Sequence, residues 1–119
     1  MMDRKVVDSA DVPTQEFAWG KIAWLHNGET GAEGLTVGEV IINPGQANAV
    51  HAHPNCEEVL YLISGELEHT CGDEGPYHLK PGMSIRIPKG VRHNAHCTSA
   101  EPARMLVAYS SAYRQVSNE

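Results

Sequence analysis

Residues 45–65 constrain this chain more than any other stretch, because they place two histidines two positions apart and two acidic residues shortly after them. Side chains alternate between the two faces of a β-strand, so His51 and His53 point to the same side and can bind one ion together. The Pro-Asn pair that follows favours a turn, and a second strand over residues 58–63 is predicted to run back antiparallel beside the first. This turn brings a carboxylate opposite the two imidazoles.

Residues 82–97 supply a third imidazole for the same site. Gly82 and the turn from Pro88 to Gly90 bracket a short strand, and His93 opens the next one. Three neutral imidazoles and one carboxylate form a site for a divalent transition metal, with coordination positions left for water or substrate. This set of nitrogen and oxygen ligands suits iron, manganese, nickel, cobalt or zinc, and it does not select among them.

The two stretches together resemble the motifs of the cupin family. The first motif is G-x5-H-x-H followed by a glutamate and a glycine, and the second is G-x5-P-x-G-x2-H-x3-N. The matching positions are Gly45, His51, His53, Glu58, Gly65, Gly82, Pro88, Gly90 and His93. The six residues that the motif requires before Gly65 assign the carboxylate ligand to Glu58 rather than Glu57. Cys97 stands where the family has its last asparagine, which removes a polar amide from the barrel wall and changes none of the ligands.

The resemblance implies a single antiparallel jelly-roll β-barrel over residues 35–110. The metal ligands that it implies are His51, His53, Glu58 and His93. The residues alone support a broader statement: short strands with turn signals at regular spacing, and no helical period, indicate an all-β sandwich or barrel. Residues 1–34 are then an N-terminal arm with an edge strand, at most at Val6 and Val7, and residues 111–119 are a polar C-terminal tail.

The cupin family does not select one reaction, because it includes dioxygenases, isomerases, epimerases, decarboxylases, storage proteins and sugar-sensing regulators. We expect a small metal-dependent enzyme of the dioxygenase, isomerase or decarboxylase type that acts on a small molecule. The alternative is a barrel that binds or senses a small ligand without turnover, with a metal that is structural or absent. No catalytic residue beyond the ligands is assigned, so whether the chain is an enzyme stays open.

The side chains predicted to face the barrel interior are largely apolar, which favours a small or apolar substrate. They are Leu60, Leu62, Ile85, Ile87, Ala95 and Cys97. An enzyme also needs a general acid or base beyond the metal ligands. The candidates for this role are Glu57, Tyr61, Tyr109 and Cys97.

Other aromatic, basic and histidine residues fit less specific roles. Trp19 and Trp24 are expected to pack on the outer wall or, alternatively, to line the mouth as a substrate platform. His69 and His78 lie on a predicted hairpin without a carboxylate at ligand spacing, so we interpret them as surface or lining residues. His96 has the opposite parity to His93 and is not expected to be a ligand. Three arginines could bind an anionic substrate, but we expect them on the solvated surface instead. They are Arg86, Arg92 and Arg104.

Charge and composition narrow the partners and the compartment. A net charge of −6 and a pI near 5.6, without a basic run, argue against nucleic acid or an anionic membrane as a partner. The N-terminus lacks the apolar stretch of a signal peptide, so a cytoplasmic location is predicted. Three cysteines outside any C-x-x-C pair indicate reduced thiols. Cys56 is interpreted as a small buried hydrophobe or, alternatively, as a thiolate that reaches the metal.

Both faces of the strand predicted at residues 58–63 are apolar. A half-solvated antiparallel strand shows polar residues on one face, so Val59, Tyr61 and Ile63 need a cover. A second copy of the chain or the N-terminal strand would supply it. We therefore predict a homodimer.

Overall fold

The computed structural model describes residues 3–118, and their secondary structure is almost entirely β-strand. The strands are β1 (Thr14–Phe17), β2 (Gly20–His26), β3 (Thr36–Ile42), β4 (Glu58–Ser64), β5 (Leu67–Cys71), β6 (Glu74–Leu79), β7 (Ser84–Ile87), β8 (Ala95–Cys97) and β9 (Ala103–Tyr109). A short 3₁₀ helix, Gly28–Thr30, follows β2. In this part of the chain, no helix has the length and apolar character needed to cross a membrane. Met1, Met2 and Glu119, at the ends of the predicted arm and tail, lie outside the described residues.

The strands form two antiparallel sheets. The larger has six strands in the order β1-β2-β3-β9-β4-β7, and the smaller has three in the order β6-β5-β8. Side chains alternate along each strand, so on β9 Met105 and Val107 are buried while Leu106 faces outward. Buried residues of both sheets, such as Leu62 in the larger and Leu67 in the smaller, form one core. The all-β, antiparallel fold class predicted from the sequence is confirmed.

The histidine stretch is not a strand paired with β4, so the predicted hairpin is wrong. His51 forms an isolated antiparallel bridge with His93 and Ala52 forms one with Ser117, whereas β4 pairs with β9 and β7. The N–H groups of His51 and His93 donate to each other's carbonyl oxygens at 3.0 and 2.8 Å. The backbone groups of His51 that a hairpin with β4 would need are therefore bonded to His93. Glu58 consequently approaches from the larger sheet, while His93 precedes β8 of the smaller one.

The edge strand that the N-terminal region adds to the larger sheet is β1, not a strand at Val6 and Val7. A tight turn joins β1 to β2. Gly20 is the first residue of β2, and it pairs with Ile42 of β3. A Cβ atom at Gly20 would overlap the carbonyl oxygen of Ile41, so the close approach of the two strands requires glycine there. The turn presents Phe17 and Trp19 side by side, with their rings stacked at 4.7 Å.

The C-terminal segment, residues 111–118, packs on the fold instead of extending from it. Thr36 Oγ1 donates to the Ser111 carbonyl oxygen at 2.7 Å, and Ala52 and Ser117 exchange two backbone hydrogen bonds of 2.8 Å. Asn55 holds the middle of the segment, because its side chain donates to the Tyr113 carbonyl oxygen and accepts from the Gln115 N–H, both at 2.9 Å. The segment therefore crosses the fold directly beside the histidine stretch.

Candidate metal centre

The four residues predicted as metal ligands converge in the structure. One potential ligand atom from each of His51, His53, Glu58 and His93 lies within 4.8 Å of all the others. His53, Glu58 and His93 are each less than 5% exposed, and His51 is partly buried. The cluster combines residues from the histidine stretch, the start of β4 and the segment before β8. The backbone bridge between His51 and His93 fixes two of the three rings relative to each other.

Backbone carbonyl groups set the tautomer of all three histidines. The Nδ1 atom of His51 lies 2.7 Å from the Ala49 carbonyl oxygen, that of His53 lies 2.9 Å from Gln115, and that of His93 lies 2.9 Å from Val91. A carbonyl oxygen only accepts hydrogen bonds, so each Nδ1 carries the proton and each neutral ring has its lone pair on Nε2. This is the arrangement by which proteins orient histidines toward a metal.

The Nε2 atoms surround the Glu58 carboxylate. Its Oε1 atom lies 3.1 Å from His93 Nε2 and 3.2 Å from His53 Nε2. His53 Nε2 is close but not aligned to donate, and it is buried without a hydrogen-bond partner among the described residues. Lone pairs that face a buried carboxylate repel it unless a cation or a proton lies between them. The donor set and the unpartnered nitrogen both fit a divalent transition metal.

Protonation in the metal-free site follows from burial and from the Glu58 charge. Burial alone would raise the pKa of Glu58, but the imidazoles of His53 and His93 lower it to about 2. Burial lowers the pKa of His51 to about 4. Burial would also lower the pKa of His93, but its hydrogen bond to Glu58 and the Glu58 charge outweigh this effect and raise it. Without a metal, a proton is therefore held most readily between His93 and Glu58.

A cavity of about 430 Å³ leads from the four ligands to the surface. Its walls are mainly apolar and aromatic, with Phe17, Trp19 and Tyr109 as the aromatic residues. Leu60 and Ala95, two of the residues predicted to face inward, line it. The volume falls within the range of about 300–1,000 Å³ that is usual for small-molecule sites. Trp19 thus lines the cavity. This position is the predicted alternative to packing on the outer wall.

Two further residues line the cavity, and for His69 a lining position is one of the two interpretations from the sequence. His69 is 1% exposed and its ring stacks on that of His93, with centroids 5.7 Å apart. Its position two residues after Leu67 on β5 was a usable signal, because both side chains face the core. Arg114 also lines the cavity, from the segment predicted to be a plain tail.

The other candidates lie outside the metal cluster. Tyr61 is 45% exposed on the outer face, and Glu57 is exposed with an ion pair to Arg86 at 3.7 Å. Tyr109 does line the cavity, but burial raises its pKa well above the usual range, so its hydroxyl stays protonated. Cys56 is a buried thiol of the core, and burial raises its pKa.

The remaining histidines and the cysteine that replaces the motif asparagine have local roles. His78 Nε2 donates to the Glu66 carboxylate at 2.6 Å on the surface. His96 is exposed and lies outside the cluster. Cys97 is fully buried, and its thiol lies 3.4 Å from the Glu101 carbonyl oxygen. The thiol thus stabilises the turn after β8 and does not contact the ligands.

The sequence of most of the chain matches a known family. A family model for the cupin domain matches residues 38–109. The chain belongs to the cupin family. Within it, the chain is 32% identical over 103 residues to Protein SchB of Streptomyces halstedii, with 86% of this chain and 74% of SchB covered. It is 30% identical to Polyketide synthase CurC of Streptomyces cyaneus, with 88% and 68% covered.

Solved cupin structures resemble the chain in fold. The polyketide cyclase RemF from Streptomyces resistomycificus superposes with a TM-score of 0.79 at 25% identity, over 99% of this chain and 85% of RemF. The oxalate decarboxylase of Lactobacillus farciminis superposes with a TM-score of 0.82 at 21% identity. The superposition covers 91% of this chain but only 33% of the decarboxylase. The second likeness shows the jelly-roll β fold alone.

Proposed function

We propose that this cupin is a metal-dependent enzyme that transfers a proton next to a carbonyl group of a flat, conjugated small molecule, as isomerases and cyclases do. The observation that carries the proposal is the position of the four ligands at the inner end of an open cavity of about 430 Å³. A metal that only stabilises the fold would need no cavity of this size. A binding or sensing barrel without turnover remains the competing function, and the experiment below separates the two.

The ligands provide the reactive end of the cavity. A divalent ion held by His51, His53, Glu58 and His93 would supply Lewis-acid chemistry, which stabilises negative charge on a carbonyl or enolate oxygen. Proton transfer needs no change of oxidation state, so zinc is expected to support the reaction as well as manganese, cobalt, nickel or iron. A dioxygenase, in contrast, would need a redox-active metal.

The walls determine which substrates fit. The stacked Phe17 and Trp19 rings and the Tyr109 ring offer flat apolar surfaces, and Leu60 and Val107 exclude water between them. Flat conjugated molecules pack favourably against such rings. This chain is similar to the polyketide cyclase RemF and to Polyketide synthase CurC, and this similarity supports a polyketide-like substrate.

His69 is the histidine of the cavity that the metal cluster leaves free. Its Nδ1 lies 2.7 Å from the Thr70 carbonyl oxygen and therefore donates to it, so Nε2 is the nitrogen left to accept a hydrogen bond. We assign His69 to the binding and orientation of a substrate hydroxyl or enol beside His93. Its ring stacking on His93 holds it in that position.

The test uses protein purified without a tag or a nickel column and reloaded with a single metal. The substrate analogue is α-tetralone, a flat ketone with exchangeable C–H bonds next to its carbonyl, in D₂O at neutral pH. Deuterium incorporation followed by NMR should depend on the metal and be lost in His53→Ala. Metal-loaded protein that binds α-tetralone without accelerating exchange would support the binding barrel, and oxygen consumption with iron alone would support a dioxygenase.

We further propose a homodimer formed through the outer face of the larger sheet. On this face Val59 is 42% exposed, Tyr61 45% and Leu106 36%, and Tyr61 lies directly beside Leu106 in the register of β4 and β9. Adjacent large apolar side chains of this kind favour burial against a partner. A second copy of the chain supplies a matching apolar face through two-fold symmetry.

A reducing compartment such as the cytoplasm is also part of the proposal. Cys56, Cys71 and Cys97 are all free thiols. Free cysteines are usual where glutathione and thioredoxin keep thiols reduced. Localisation of a fluorescent fusion in intact cells would test this directly.

A further inference from the structure

The Arg114 guanidinium is a cation in the wall of the cavity, and the described residues offer it no counter-ion. Its Cζ lies 4.4 Å from the centroid of the Trp24 ring and 5.2 Å from that of Tyr109. Its Nε atom is buried and has no hydrogen-bond partner among the described residues. No carboxylate of residues 3–118 forms an ion pair with it. A buried N–H group without a partner is costly, so this donor favours a ligand that accepts from it.

The surroundings hold Arg114 in place for such a contact. Trp24 is fixed by its Nε1–H, which donates to Gln15 Oε1 at 2.9 Å, so its face is presented to the guanidinium. The Asn55 side chain bonds to the residues on both sides of Arg114, at Tyr113 and Gln115. A cation supported on two aromatic faces and a pinned backbone loses little freedom when it binds an anion.

Arg114 also lies close enough to the metal cluster for one molecule to contact both. The Tyr109 ring contacts both the guanidinium and the His53 ring, and the centroids of the Tyr109 and His53 rings are 4.9 Å apart. Glu58 is the only carboxylate among the described residues that line the cavity, and it is engaged with His53 and His93. The positive charge of the wall therefore has no negative partner among residues 3–118.

We propose that Arg114 binds an anionic oxygen group of the substrate, such as a carboxylate or an ionised enol, and so selects flat conjugated acids over neutral analogues. This inference rests on the proposed function, because it names the class of molecule that the same cavity takes. Planar guanidinium groups bind carboxylates through paired, charge-assisted hydrogen bonds, which are stronger than neutral ones.

The test measures the binding of 1-naphthoate and of its neutral isostere 1-naphthamide to the metal-free protein, by titration calorimetry. Without a metal, a preference for the acid cannot come from coordination of its carboxylate. The variants are Arg114→Gln and, as a matched control, Arg104→Gln, because Arg104 is an exposed arginine paired with Glu39 on the outer face. Zinc-loaded protein is measured in parallel, and elemental mass spectrometry reports whether each variant still binds metal.

We expect wild type and Arg104→Gln to bind naphthoate at least about tenfold more tightly than naphthamide, and Arg114→Gln to lose this preference while its naphthamide affinity stays unchanged. An equal loss of affinity for both compounds in Arg114→Gln would show that Arg114 only packs against the rings, and would overturn the inference. Equal binding of the two compounds by wild type would overturn it even if the variant failed to fold. If the proposed function were wrong instead, the preference for the acid would persist without metal-dependent exchange of α-tetralone.

Discussion

The carbonyl oxygen of Gln115 accepts the Nδ1 hydrogen of His53 at 2.9 Å, across 62 positions of sequence. This hydrogen bond makes the C-terminal segment part of the metal centre, because it decides which nitrogen of His53 faces the other ligands. Hydrogen-bond partners of metal-bound histidines contribute about 10–100-fold to metal affinity.

Asn55→Ala is expected to weaken metal binding by about tenfold without removing a ligand. The variant loses the two side-chain hydrogen bonds that hold Tyr113 and Gln115, so the Gln115 carbonyl is no longer fixed beside His53. Competition with a zinc-binding dye measures the affinity. Asn43→Ala, at an exposed asparagine in the turn after β3, should keep the wild-type affinity, and an equal effect of both substitutions would contradict the role of the segment.

His93→Ala and His96→Ala are expected to differ sharply although the two residues are three positions apart. His93 is a buried member of the cluster, whereas His96 is exposed. Elemental mass spectrometry should find near-stoichiometric metal in His96→Ala and almost none in His93→Ala. Retention of metal by His93→Ala would show that the cluster is not the binding site.

Metal affinity is expected to fall as the pH decreases, because a proton competes with the metal for His93. The pKa of His51 lies near 4 and that of Glu58 near 2, so both are already in the metal-binding form above pH 5. The pKa of His93 is raised above its ordinary value, so a proton competes with the metal below it. Binding should therefore weaken by about tenfold per pH unit between pH 6 and 5.

The same assignment can be checked without metal. NMR titration of the metal-free protein should place the His93 midpoint above 6.5 in the wild type. In Glu58→Gln the carboxylate that raises this pKa is absent and burial remains, so the midpoint should move below 6.5. A midpoint that does not move would contradict the pairing of His93 with Glu58.

Tyr61→Glu is expected to convert the protein to a monomer, whereas Tyr77→Glu is not. Both tyrosines are 45% exposed, but Tyr61 lies on the outer face of the larger sheet and Tyr77 on β6 of the smaller one. A charge in an apolar interface costs several kcal/mol. Light scattering coupled to size-exclusion chromatography at micromolar concentration measures the mass. A monomeric wild type would contradict the dimer proposal.

Local patterns indicated the all-β fold class, and together with the resemblance to the cupin motifs they predicted the four candidate ligands. His51 and His53 were predicted to share a face because strand geometry repeats every two residues, and the alternation on β4 and β9 follows from the same period. The turn residues around Gly82 and Gly90 mark the ends of β7, which places His93 before β8. These properties depend on neighbours within about ten residues, so they can be read from the chain itself.

Tertiary structure alone decided which sheet delivers Glu58, and that Arg114 and Gln115 belong to the site. The predicted hairpin was wrong because His51 and Ala52 bond to His93 and Ser117, which are remote in sequence. The contribution of Gln115 comes from its backbone carbonyl, a group that every residue carries and that no side-chain pattern can mark. Arg114 acquires its role only because the chain crosses back over Trp24 and Tyr109, where its Nε atom is buried and no carboxylate of residues 3–118 pairs with it.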